Sequence, residues 1–243
     1  MEIKTVDNKI IIKNAFLQNN VSISDKEVQK FCLFYDLLVE YNQKYNLTAI
    51  TQINDVCAKH FVDSVFGANL LAPNSTVLDI GCGAGFPSIP LAIMRPDLSF
   101  CLIDSVGKKI DFINVVKNKL ELNNIQAYHT RAQEFCNKNN RGSFDFVVSR
   151  ALAPLNILLE LCIPFLKQNG TMLAYKGVNF QEEIDNAKNA VSKLYVDIND
   201  TKSFKLTLDN NEALNRFILI IKKTKPTPTI YPRLKNSIKT NPL

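Results

Sequence analysis

The run Thr76-Val77-Leu78-Asp79-Ile80, followed at once by Gly81-Cys82-Gly83-Ala84-Gly85, limits the fold of this chain more than any other stretch. An apolar, β-branched strand delivers the backbone into three of the chain's eight glycines within five positions, and Phe86-Pro87 then opens a helix. Similar short β-rich runs recur at 99–103, 125–129, 144–149 and 171–175. Helical stretches near 87–95, 107–122, 131–138 and 154–167 separate them, and Asn169-Gly170 reads as the stop of the last. Strands that alternate with helices pair in parallel, because each helix carries the chain back to the starting edge. Two late runs, 202–208 and 215–222, joined through Asn210-Asn211, fit a closing antiparallel pair. The expected fold is α/β, a doubly wound Rossmann-like sheet with a mixed edge.

Upstream the pattern is helical. Ser24-Asp25-Lys26-Glu27 is a capping box stapled by Ile23 and Val28, and apolar residues then recur at 28, 31, 34, 35, 38, 41 and 45, which predicts one helix over 25–45. Further helical patterning from Asp55 to Leu71 ends before Pro73. The expected organisation is an N-terminal helical extension, 1–72, the sheet domain, 73–225, and a tail, 226–243. A chain of 243 residues with 46% apolar content supports one full core with a small appendage. No apolar run approaches the roughly 20 residues of a membrane span. Without an export signal, a cytoplasmic location and a monomer free of membrane and metal are expected. The six cysteines show no C-x-x-C pair and read as reduced thiols.

The net charge of +6 resides in residues 222–243, where Lys222, Lys223, Lys225, Arg233, Lys235 and Lys239 face no acid, while the other 221 residues balance at 23 basic and 23 acidic. Pro226, Pro228, Pro232 and Pro242 disfavour a regular helix. The tail reads either as a basic arm on phosphate or as a solvated end. On the first reading, removing 226–243 weakens RNA binding and spares cofactor affinity.

Gly81 and Gly83 let the chain turn sharply and approach a ligand with no side chain between. A dinucleotide fingerprint needs glycine at position 86, where this chain has Phe86, and no Gly-Lys-Ser/Thr follows for a P-loop. The spacing favours S-adenosylmethionine. Asp104, at the end of the second strand, is placed to accept from both ribose hydroxyls, with a helix cap as the plain alternative. Asp79 suits the cofactor's ammonium or a brace for the turn. Thr130-Arg131-Ala132-Gln133-Glu134 stands where an adenine would lie, or starts a surface helix. Ser149-Arg150-Ala151-Leu152-Ala153-Pro154 ends the fourth strand, where methyl and acceptor should meet. An N/D-P-P-Y/F motif and a nucleophilic cysteine are both missing there. An acceptor such as guanine N7, which has no proton to lose, needs neither, so positioning and electrostatics would carry catalysis. Arg150 would then hold the cofactor carboxylate or orient the guanine.

These residues go beyond a generic fold. Tyr45-Asn46-Leu47-Thr48-Ala49-Ile50, Lys59-His60-Phe61-Val62-Asp63-Ser64, the stretch Asp79 to Pro87, Asp104-Ser105 with Lys108-Lys109, and Ser149-Arg150-Ala151 closely resemble the small-subunit ribosomal RNA guanine-N7 methyltransferases, also called glucose-inhibited division protein B. The resemblance extends to Tyr231-Pro232-Arg233 and Pro242-Leu243. It implies a class I methyltransferase sheet, S-adenosylmethionine as donor, and N7 methylation of one guanine in the decoding region of 16S rRNA, free or in the small ribosomal subunit. Carried over by position, the cofactor contacts fall on Gly81, Phe86, Ala132, Gln133 and Arg150. The family commonly has an acid where Gln133 stands, and Glu134 adjoins it here. His60, Asp63 and Asn46 also match family positions, as a buried network or as RNA contacts. A non-catalytic ribosome assembly factor, and a small-molecule or protein methyltransferase on the same fold, are the competing functions.

Overall fold

In the computed structural model, which describes residues 2–243, seven strands form one sheet in the order β3-β2-β1-β4-β5-β7-β6. They are β1 (Thr76–Ile80), β2 (Ser99–Asp104), β3 (Ile125–His129), β4 (Phe144–Arg150), β5 (Leu166–Lys176), β6 (Val196–Thr207) and β7 (Ala213–Lys223). β1 to β5 are parallel, and β7 lies antiparallel between β5 and β6. This is the doubly wound sheet with a mixed edge expected above. The chain winds outward from β1 to β3 and then returns to place β4 on the other side of β1. The helices that follow β1 and β4 therefore pack on opposite faces, which opens a crevice at the carboxyl ends of these two strands.

The helix Asp25–Tyr45 starts at Ser24 with both halves of the capping box formed and ends at Asn46, whose φ of 49° is left-handed. Its apolar stripe carries Phe31 and Phe34 into a run of rings with Phe16, Phe61, Phe86 and Phe112, centroids 4.9 to 6.4 Å apart. The N-terminal helices thus share the core on one face of the sheet with the helices Ser88–Met94 and Gly107–Lys119. The extension anticipated as an appendage is part of the main core. It also reaches the far edge, where the Asn19 side chain donates to Thr207 O at 3.0 Å and accepts from Thr207 N at 2.7 Å. No helix among the described residues is long and apolar enough to cross a membrane.

Three expectations need correction. The helix from Leu155 ends at Cys162, two residues before Pro164, and Asn169-Gly170 is an irregularity inside β5 rather than a helix stop. Asn169 is left-handed at φ 64°, and a Cβ on Gly170 would lie 3.0 Å from the carbonyls of Asp145 and Lys167. Secondly, the helices Phe180–Asn186 and Lys188–Leu194 were not foreseen, because their polar sequence buries only Ala190 and Leu194. Thirdly, the tail is not an extended arm. Lys223 is buried and donates to Ile163 O and Leu166 O, Arg233 pairs with Glu160, and a short helix, Lys235–Thr240, lies between Pro232 and Pro242. A helix starting after Pro232 is compatible with its ring, which only forbids helix before it.

Candidate active site

The three glycines of the turn serve different needs. Gly81 (φ 72°) and Gly83 (φ 58°) are left-handed. A Cβ on Gly81 would overlap the Leu152 side chain, whereas one on Gly83 would meet nothing nearer than Gly81 O at 3.9 Å and would stand in the cavity the turn borders. A Cβ on Gly85 would overlap Ile89, so that glycine serves helix packing instead. Asp104 secures the turn from β2: its Oδ2 accepts from Gly83 N at 3.0 Å and its Oδ1 from Val106 N at 2.9 Å. Each oxygen keeps a lone pair for a further donor. Asp79 accepts from Ser88 Oγ at 2.7 Å and does not line the cavity, so it braces the start of the next helix. Burial lifts its carboxyl to about 7.

Of the residues nominated from the sequence, Gly81, Gly83, Phe86, Asp104, Ala132, Gln133 and Arg150 line one cavity of about 900 Å³, and Asp79 does not. That volume suits a nucleoside with an amino-acid arm. Gln133 faces the cavity, while Glu134 turns out to solvent beside Arg131, so the neighbouring acid does not replace the missing one. The amide oxygen of Gln133 accepts a hydrogen bond as a carboxylate does.

Arg150 is no surface arginine; its side chain is 14% exposed. Nη1 donates to Asp63 Oδ2 and to Lys59 O, both at 3.0 Å, Nη2 lies 3.1 Å from His60 Nδ1, and the guanidinium stands 5.1 Å from the Phe86 ring centroid. Arg216 Nε approaches the other oxygen of Asp63 at 3.2 Å. This knot ties β4 and β7 to the π-helical turn Cys57–Val62, which carries Lys59 and His60, with Asp63 directly after it. Such turns recur at functional sites, and nothing in sequence periodicity reveals one. Arg150 retains Nε–H and one Nη2 hydrogen for a ligand. His60 and Asp63 thus form a buried network, while Asn46 caps a helix.

His60 is held at both ring nitrogens: Nδ1 lies 3.1 Å from Arg150 Nη2 and 3.2 Å from Lys59 O, and Nε2 lies 2.9 Å from Thr48 Oγ1. Burial, and then the Arg150 charge, push its pKa down to about 3. A base lowered on folding binds fewer protons than in the unfolded chain, so its contribution is lost as pH falls from about 6.5 toward 3, by up to about 1.4 kcal/mol per pH unit. The melting temperature should therefore fall more steeply in the wild type than in His60→Gln between about pH 6.5 and 4.5. Parallel curves would show that His60 is not held neutral.

A second cavity, of about 780 Å³, adjoins the first across the segment Arg150 to Pro154, which lines both, as does His60. Its other walls include Lys59, Lys176, Asn179, Glu183 and Arg216. Leu152 projects between the two spaces, positioned by Ala151 in the left-handed region at φ 54°. The junction has no free base or nucleophile among the described residues. His60 is engaged at both nitrogens, Asp63 is paired with two arginines, and Cys82 is buried with its thiol pushed well up. Sequence reading missed Thr48, Ile157, Arg216, Ile238 and Lys239 as residues of these walls. They come from distant elements, and of them only Thr48 falls in a stretch that carries the family resemblance.

A sheet of this order, with a glycine turn and a strand-end acid around a nucleoside-sized cavity at its switch point, is that of a class I methyltransferase. A family model described as rRNA small subunit methyltransferase G (GidB) matches residues 27–212. The chain belongs to the rRNA small subunit methyltransferase G family. It is 42% identical over 234 residues to the ribosomal RNA small subunit methyltransferase G of Streptococcus pneumoniae serotype 19F (strain G54), covering 95% of this chain and 97% of that one. The protein of the same name from Lactococcus lactis subsp. lactis (strain IL1403) is 42% identical over 235 residues, with the same shares covered. Among solved structures, M. jannaschii TYW2 in complex with AdoMet matches with a TM-score of 0.54 at 16% identity, over 67% of this chain and 75% of that one. The YcgJ protein from Bacillus subtilis gives 0.52 at 13%, over 68% and 100%. These two likenesses are of fold.

Proposed function

We propose that the chain methylates N7 of a guanine in small-subunit ribosomal RNA, with S-adenosylmethionine in the 900 Å³ cavity and the acceptor base in the adjoining one. The observation that carries this reading is the junction itself: two cavities share a rim that offers a buried guanidinium and no available base. The donor supplies a methyl group on a sulfonium, which a neutral ring nitrogen can accept without first losing a proton. What the protein must supply is alignment and water exclusion. Asp104 is assigned to the ribose, Ala132 and Gln133 to the adenine edge, and Gly81 and Gly83 to close backbone approach. The two donors left on Arg150 face the carboxylate of the donor or O6 of the guanine. Phe86 borders the donor cavity too, and it also braces its neighbours, stacking on His60 at 4.5 Å and lying 5.1 Å from the Arg150 guanidinium. A base brought into the second cavity has to leave its stack, and phosphates beside it would compete for Lys59, Lys176 and Arg216 with their acid partners Asp55, Glu183 and Asp63. Incubation with tritiated donor tests this: small-subunit rRNA should take up label, while free guanosine and peptides should not. Label on either of those with none on rRNA would overturn the assignment.

A further inference from the structure

We infer that the C-terminal segment is a wall of the donor cavity, with Ile238 in contact with the cofactor and the Glu160–Arg233 pair as the latch that positions it. Glu160 lies on the helix Leu155–Cys162 and is 0% exposed. A carboxylate so buried is costly unless fully paired. Among the described residues its partners all come from Arg233: the backbone N donates to Oε1 at 2.8 Å, Nε to Oε1 at 2.8 Å, and Nη2 to Oε2 at 2.6 Å. A second arginine holds the tail in the opposite sense. Arg141, in the body, donates to the carbonyls of Thr227 at 3.0 Å, Pro228 at 2.8 Å and Tyr231 at 2.6 Å. Beyond this clamp the chain ends with Leu243 O accepting from Asn156 Nδ2 at 3.3 Å.

Between the clamp and that end, the helix Lys235–Thr240 packs on Leu155–Cys162 with Ile238 only 2% exposed. Ile238 and Lys239 line the same cavity as Ala132, Gln133, Ile157 and Leu161, and neither lines the second one. The tail therefore lies on the donor side. There Ile238 closes the wall beside Ile157 and Leu161, in a space that combines apolar walls with the polar edges of Asp104 and Gln133, which suits a flat heterocycle such as adenine. This rests on the reading of that cavity as the S-adenosylmethionine site. It reverses the sequence-based expectation that removing 226–243 spares cofactor affinity.

Calorimetric titration with S-adenosylhomocysteine separates the outcomes. Ile238→Ala should bind about 10-fold more weakly, Ile238→Leu within about 3-fold of wild type, and Ile230→Ala, on a tail residue that is 66% exposed, as wild type. In the wild type, saturating ligand should slow amide exchange over residues 234–241, a readout that a merely structural tail would not give. Wild-type affinity in Ile238→Ala, or unchanged exchange over 234–241 in the wild type, would overturn the inference. A wild-type chain that binds no ligand would instead contradict the reading of the cavity.

Discussion

Gly81→Ala should weaken S-adenosylhomocysteine binding on the order of 100-fold, which corresponds to about 2.7 kcal/mol. Two effects combine. The left-handed backbone at φ 72° disfavours any Cβ by about 1–2 kcal/mol, so the turn relaxes away from the shape that borders the cavity. The added methyl also takes the space of Leu152, which must then move along the rim between the two cavities. Gly85→Ala is the internal control, because its Cβ would meet Ile89 in the core. It should lower the melting temperature more than it lowers affinity. Calorimetric titration and thermal unfolding of both variants check the contrast, and equal affinity losses would mean that the turn is a packing feature throughout.

Arg150→Ala should cost about 3 kcal/mol or more of stability, since it strips one partner from a buried ion pair. For a chain of this size that is a fall of roughly 6–12 °C in melting temperature. Burial already raises the Asp63 carboxyl above its ordinary value, and the loss of Arg150 leaves Arg216 as its one remaining ion-pair partner among the described residues. Phe86 and His60 lose a neighbour as well. In the double variant with Asp63→Asn the two losses should not add, because the isolated carboxylate is gone. Denaturant unfolding of the singles and the double measures the coupling. A melting temperature within about 2 °C of wild type for Arg150→Ala would show that the knot is not a stabilising element.

The donor half of the site was legible because its signals are local. A strand, a glycine turn and a strand-end acid 23 residues beyond Gly81 sit within single βα units, where spacing translates directly into geometry. The acceptor half was legible only as an absence of base and nucleophile at Ser149 to Pro154. What Arg150 does could not be read, because its partners Lys59, His60 and Asp63 lie about ninety residues upstream and reach it through a π-helical turn. The tail misled for a related reason. Its charge and prolines are visible in sequence, but the buried Glu160 that captures Arg233 looks like any helix acid. Likewise the polar helices after β5 bury too few residues to leave a periodic mark.

The most direct measurement treats unmodified small-subunit rRNA and intact small subunits with the purified protein and S-adenosylmethionine, and maps N7-methylguanine along the RNA. One guanine should gain the modification, and at limiting donor Gly81→Ala should sharply reduce it at the same site. Methylation at a base carbon or an exocyclic amine would contradict the base-free junction, and no methylation of either substrate by a protein that binds the donor would contradict the acceptor assignment.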